Sequence, residues 1–115
     1  MAKTRKALSS VSATIAAGTA MSDAADLRAG VPTLLLTPDD WSAANVSFQV
    51  STDGTTFFDL IGADDAETHL AMGADRAILL PGDLLQAASY VRIRSGSSAH
   101  PVPQAADRVF TLVLA

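Results

Sequence analysis

Trp41-Ser42-Ala43-Ala44-Asn45-Val46-Ser47-Phe48-Gln49-Val50-Ser51-Thr52-Asp53-Gly54-Thr55-Thr56-Phe57-Phe58-Asp59-Leu60 is the stretch that decides the fold. Val46, Phe48 and Val50 alternate with Ser47, Gln49 and Ser51, the period of a strand with one buried and one wet face. Asp53-Gly54 supplies a tight turn, and Phe57, Phe58 and Leu60 begin a return strand. A hairpin of this kind predicts an antiparallel β protein with an outward-pointing loop tip. It carries no catalytic signature.

Outward from the hairpin, the chain of 115 residues is long enough for one domain with a core of its own. About half of it is apolar, much of that alanine, which suggests a core of small residues between closely packed sheets. The net charge of −4 disfavours a general affinity for nucleic acid. With no cysteine there is no disulfide, thiolate nucleophile or zinc knuckle. The N-terminus, Met1-Ala2-Lys3-Thr4-Arg5-Lys6, is basic and precedes an alanine-rich run that superficially resembles a secretion signal. That run contains Ser9, Ser10, Ser12 and Thr14, and Val11, Ala13 and Ile15 alternate with them as a first strand would. The reading is therefore a flexible basic arm over 1–7 and a folded domain over 8–115. No segment approaches the ~20 apolar residues of a membrane span, so a soluble chain without a membrane partner is expected.

Eight extended segments follow: 8–16, 31–37, 45–51, 56–61, 67–71, 76–80, 89–94 and 108–114. Glycine, proline, aspartate and serine separate most of them, as in a sandwich or jelly roll. Two helical turns are expected at corners, one at Thr37-Pro38-Asp39-Asp40 and one following Pro81-Gly82-Asp83. These corners share an internal echo. Leu35-Leu36-Thr37-Pro38, followed by Phe48 and Val50, parallels Leu79-Leu80-Pro81, followed by Val91 and Ile93. Either a strand–corner–strand unit is duplicated, or two corners share turn chemistry by coincidence.

Residues able to do chemistry are few. His69 and His100 are the only histidines, and no serine stands in the Gly-x-Ser-x-Gly elbow that exposes a nucleophile. The acids Asp39-Asp40, Asp53, Asp59 and Asp64-Asp65 sit at turns, where aspartate commonly bonds its own backbone, and lack calcium-loop spacing. Tyr90, Arg92 and Arg94 share one face of a strand, with Val91 and Ile93 on the other. That face reads either as a recognition surface or as a solvated sheet face. Trp41 beside a corner reads as core rather than as a sugar-stacking platform. No metal or cofactor is expected.

The segment Phe48 to Phe58 resembles the Ser-x-Asp-Gly-x-x-(Trp/Phe) hairpin of discoidin-like (coagulation-factor type C) β-sandwiches. Ser89-Tyr90-Val91-Arg92-Ile93 is similar to their later Arg-Tyr-x-Arg-(Ile/Leu) strand. The layout from Ser22 to Leu114 resembles small proteins encoded among tailed-bacteriophage virion genes. They share a Pro-x-x-Trp-x-x-Ala-x-(Val/Leu)-x-Phe-Gln-x-Ser-x-Asp-Gly segment, an Arg-Ser-Gly-(Ser/Thr) element, here Arg94 to Ser97, and Gln-x-x-x-Arg before a last apolar strand, here Gln104 to Arg108.

The discoidin resemblance implies a discoidin-like or jelly-roll β-sandwich. The phage resemblance implies a non-enzymatic virion component, a capsid decoration protein or a neck, tail or fibre part. Such a protein would be assembled in the bacterial host cytoplasm and would contact capsid, neck or tail subunits in many copies per particle. The competing class is a carbohydrate-binding module, and a weak surface glycan is compatible with both. The turn at Asp53 and the loop from Ser95 to Gln104 follow strands in equivalent places of the echo. They are therefore expected at one end of the sandwich, where Asp53, Arg94 and His100 are the candidate partner contacts, with Tyr90 and Arg92 as further candidates on the strand face that they share with Arg94.

Overall fold

The computed structural model describes residues 9–115; the expected arm over 1–7 lies outside them. Nine strands run in chain order: β1 (Ser9–Ile15), β2 (Ala25–Asp26), β3 (Pro32–Leu36), β4 (Val46–Ser51), β5 (Phe58–Asp59), β6 (His69–Leu70), β7 (Ala77–Leu79), β8 (Tyr90–Ser95) and β9 (Arg108–Leu114). They form two antiparallel sheets, one ordered β1-β9-β3-β7 and the other β2-β8-β4-β5 with β6 also on β4. The chain alternates between sheets except along β4–β5–β6, and this strand order is that of a jelly roll. The antiparallel β-sandwich expected from the hairpin is the fold.

Alternation explains the core. Ala13 and Ile15 of β1, Leu35 of β3, Val46 and Phe48 of β4, Val91 and Ile93 of β8, and Phe110, Leu112 and Leu114 of β9 all point between the sheets and are buried. Shifting any of these strands by one residue would turn its apolar set outward, so the pattern fixes the register. Only Ala13 and Ala25 represent alanine among the fourteen buried apolar residues, so the core is built of branched aliphatics and phenylalanine. The alanines that suggested a small-residue core lie mostly in loops and turns, where a methyl group buries little.

The expected helical turn at Thr37–Asp40 does not form. Thr37 stays extended against the next turn of chain: its N–H donates to the Arg76 carbonyl, its Oγ1 accepts from Arg76 N–H, and the Pro38 carbonyl accepts from Asp75. The second corner does turn, with Leu84 N–H donating to the Pro81 carbonyl and Ala88 N–H to that of Leu85.

The echo has a structural counterpart. Each copy starts in the first sheet, rounds a corner and enters the second, β3 to β4 and β7 to β8. Because β3 pairs β7 and β4 pairs β8 antiparallel, the two copies run in opposite directions. Ser51 at the end of β4 therefore sits opposite Tyr90 at the start of β8, and Val46 opposite Ser95. The Asp53 turn and the 95–104 loop emerge at opposite ends of the sandwich. The shared end expected for them is wrong, because equivalent positions of an antiparallel pair point opposite ways.

Candidate functional site

The outer face of the second sheet carries the expected Tyr90, Arg92 and Arg94, arranged by pairing into rows. Tyr90 faces Asp26 and Ser51, Arg92 faces Gln49 on the way to Asp59, and Arg94 faces Ser47 on the way to His69. The three side chains are already engaged. The Arg28 guanidinium lies 5.3 Å from the Tyr90 ring centre and pairs with Asp26 at 2.7 Å. That pairing holds the Asp26 carboxyl down at about 2. Arg92 stacks 4.0 Å over Phe57.

Arg94 is only 6% exposed. Its Nε donates to Ser47 Oγ at 2.9 Å, Nη1 to Asp59 at 3.0 Å and Nη2 to Glu67 at 2.7 Å. Burial alone would raise the pKa of both acids. For Asp59, hydrogen bonds from Gln49 and Arg94 and the Arg94 charge outweigh it; for Glu67, bonds from Ser98 and His69 and the same charge do. Both carboxyls lie below the usual range and stay ionised against the arginine. Arg94 is thus an internal fastener, and little of this candidate contact residue is left on the surface.

The turn end carries Asp53. Its Oδ1 accepts from Thr55 and Thr56 N–H, while Ser51 Oγ accepts from Gly54 N–H at 2.9 Å. The bonds from Thr56 and Thr55, and then that from the Ser51 hydroxyl, lower the Asp53 pKa. Beside the turn, Val50, Phe58, Leu60, Leu84 and Ala88 line an apolar cleft of about 330 Å³. At the other end, His69 and His100 line one shallow cleft of about 250 Å³ with Asn45 and Ser97.

The motifs behind the phage resemblance meet at that same end. Gln104 is buried: its Nε2 donates to Ser95 Oγ at 2.7 Å and to the Ser42 carbonyl, and its Oε1 accepts from Ser42 N–H and from Arg108 Nε at 3.0 Å. Gly96 has φ +89, and a Cβ there would clash with the His100 carbonyl oxygen. Trp41 donates Nε1–H to the Ala44 carbonyl and packs edge-on against Phe110 with ring centres 5.4 Å apart. Its indole therefore helps close the core and is not an open sugar platform. These motif residues secure the end of the sandwich.

The outer face of the first sheet is different in kind. Pairing sets Ser10, Val113, Leu34 and Leu79 in one row, Ser12, Thr111, Leu36 and Ala77 in the next, and Thr14 beside Val109 in a third. Not one of these ten residues is charged. Leu79 is 79% exposed, Val109 50% and Leu36 37%, three of the five most exposed large apolar side chains among the described residues. Strands ~4.8 Å apart and same-face residues ~6.8 Å apart give the patch an area on the order of 300–400 Å². The largest apolar patch on a typical monomer is of this order and is often functional. Sequence reasoning missed this face, although its signal was present: Leu34-Leu35-Leu36 and Val109-Phe110-Thr111-Leu112-Val113 are apolar at both parities, as in strands covered on both sides.

No protein-family model, curated protein or solved structure matches this chain.

Proposed function

We propose that this protein is a non-enzymatic structural component of a tailed-bacteriophage virion, a capsid decoration protein or a neck, tail or fibre part. It acts through protein–protein contact, with the outer face of the first sheet as its contact surface. The observation that carries the reading is that uncharged face: three rows of leucine, valine, serine and threonine on a chain with a net charge of −4. Covering it removes apolar area from water without stranding a charge. The whole-chain resemblance supplies the virion, and the jelly-roll strand order, a frequent architecture of viral capsid domains, is compatible with it by analogy of fold. Repetition in a symmetric particle makes a modest contact durable through avidity.

Mass spectrometry of purified particles tests the reading. The protein is expected in the particles in many copies, and its absence would end the virion assignment.

A further inference from the structure

We propose that the cleft beside β5 binds an amphipathic organic cation, a primary amine with an apolar tail, holding the tail in the cleft and the ammonium against Asp83. The sequence leaves this opening for a plain reason. Val46, Phe48 and Val50 share one face of β4; the first two are fully buried, while Val50 is only half covered. Val50 pairs with Phe58 on β5, and the corner 81–88 lies across them. In that corner Leu84 N–H donates to the Pro81 carbonyl and Ala88 N–H to that of Leu85. Leu85 sinks into the core, but the methyl groups of Ala87 and Ala88 are too short to fill the space over Val50 and Leu60. A cleft of about 330 Å³ remains.

Two lobes meet at this point. The first is apolar, and Phe58, 67% exposed, stands at its mouth. The second, of about 240 Å³, is lined by Ile61, Gly62 and Thr68 and shares Leu60, Asp83 and Leu84 with the first. Phe58 and Ile61 are the two exposed large apolar side chains that the first sheet's outer face leaves unaccounted for among the described residues. No residue lining either lobe is basic. Asp83 is exposed at their junction and forms no ion pair among the described residues. In the second lobe Asp64 Oδ1 stands over Gly62, where a Cβ would meet it at 2.8 Å. Residues 9–115 carry five arginines against twelve acids, so the wider field has the same sign. An apolar tail gains by leaving water in the first lobe, a positive head gains at the junction, and a negative head is repelled there. The volume lies near the lower end of the ~300–1,000 Å³ of small-molecule sites, which suits a short tail.

Titrating octylammonium, octanol and octanoate into the isotope-labelled full-length chain, each below its aggregation concentration, tests this by amide chemical shifts. Octylammonium is expected to saturate, with shifts confined to residues 50–52, 58–62 and 83–88. It should bind a few-fold tighter than octanol, and octanoate should bind weakest. Hexylammonium should bind roughly tenfold more weakly than octylammonium, at about fourfold per methylene withdrawn from water. Asp83→Asn should keep the affinity for octanol and remove the advantage of the amine over it. Ala88→Leu should fill the cleft and abolish binding of all three. If that variant fails to fold, Ala87→Leu, on the exposed side of the same corner, provides the same reading. Three outcomes would each overturn the proposal: shifts spread over the acidic surface without saturation, equal affinity for amine, alcohol and carboxylate, or a folded cleft-filling variant that binds like the parent. An amine preference that survives in Asp83→Asn would overturn the placement of the ammonium. Because the cleft lies apart from the first sheet's outer face, presence or absence of the protein in particles leaves this result unaffected.

Discussion

The two outer faces of this sandwich sit on similar scaffolds and are finished in opposite ways. On the second sheet, arginines lie over Tyr90 and Phe57 or are locked between Ser47, Asp59 and Glu67, and the polar groups are satisfied by residues of the same chain. On the first sheet, leucines and valines stand exposed with only serines and threonines between them. A face whose charges are paired internally has little left to offer a partner. An apolar face without charges has its stabilisation still to gain. Arginine and tyrosine on a strand are therefore a poor guide to contact here, since their binding capacity is already used within the fold.

The comparison is broken most forcefully at Arg94. Replacing it with methionine leaves Glu67 and Asp59 without their counter-ion in a largely covered site, and should cost about 3 kcal/mol in urea unfolding. Leu79→Ala on the opposite face should change stability by less than about 0.5 kcal/mol. Similar losses at both positions would mean that the faces do not differ as described. Next comes Gln104→Leu, which removes four hydrogen bonds at the buried end and should cost about 2 kcal/mol by the same measurement.

Acid sharpens the contrast. Asp26, Asp53, Asp59 and Glu67 all have pKa values lowered by the fold, so the unfolded chain binds protons more readily than the native one. Their contribution is complete above the ordinary carboxylate values and is lost as pH falls from about 4.5 towards 2. Thermal melts should show Tm falling through that window. In Arg94→Met the fall should be shallower, since the Asp59 and Glu67 shifts depend partly on that arginine. A smaller loss than at Arg94 is expected at the turn. Gly54→Ala places a Cβ 3.0 Å from the Tyr90 ring at φ +80 and should cost about 1–2 kcal/mol.

The strands with clear alternation were legible from the sequence, because a period-2 pattern of large apolar residues has one buried solution in a sandwich. β1, β4, β8 and β9 lie where Val11/Ala13/Ile15, Val46/Phe48, Val91/Ile93 and Phe110/Leu112/Leu114 put them, and β3 lies at the short apolar run around Leu35. β2 was missed: two residues at Ala25–Asp26 leave no period to read, and their place is set by pairing with Val91 and Tyr90. The helical reading of Thr37–Asp40 failed because local capping chemistry lost to tertiary pairing with Asp75 and Arg76. Glu67 was passed over because its importance comes from Arg94, distant in sequence, and no local pattern announces it. The apolar face was hidden for another reason. A run such as Leu34-Leu35-Leu36 reads the same whether its outer side is covered within the chain or by a partner.

The chain has no cysteine, so single cysteines report directly on which face becomes covered. Ser12→Cys places a thiol on the first sheet's outer face, and Thr55→Cys places one at the exposed turn beyond the second sheet. Maleimide labelling of each would be compared between the free protein and purified particles that carry it. Labelling at position 12 should be slowed in the particle much more than labelling at position 55. Equal labelling at both positions, free and in particles, would contradict the claim that the uncharged face is where this protein makes its contact.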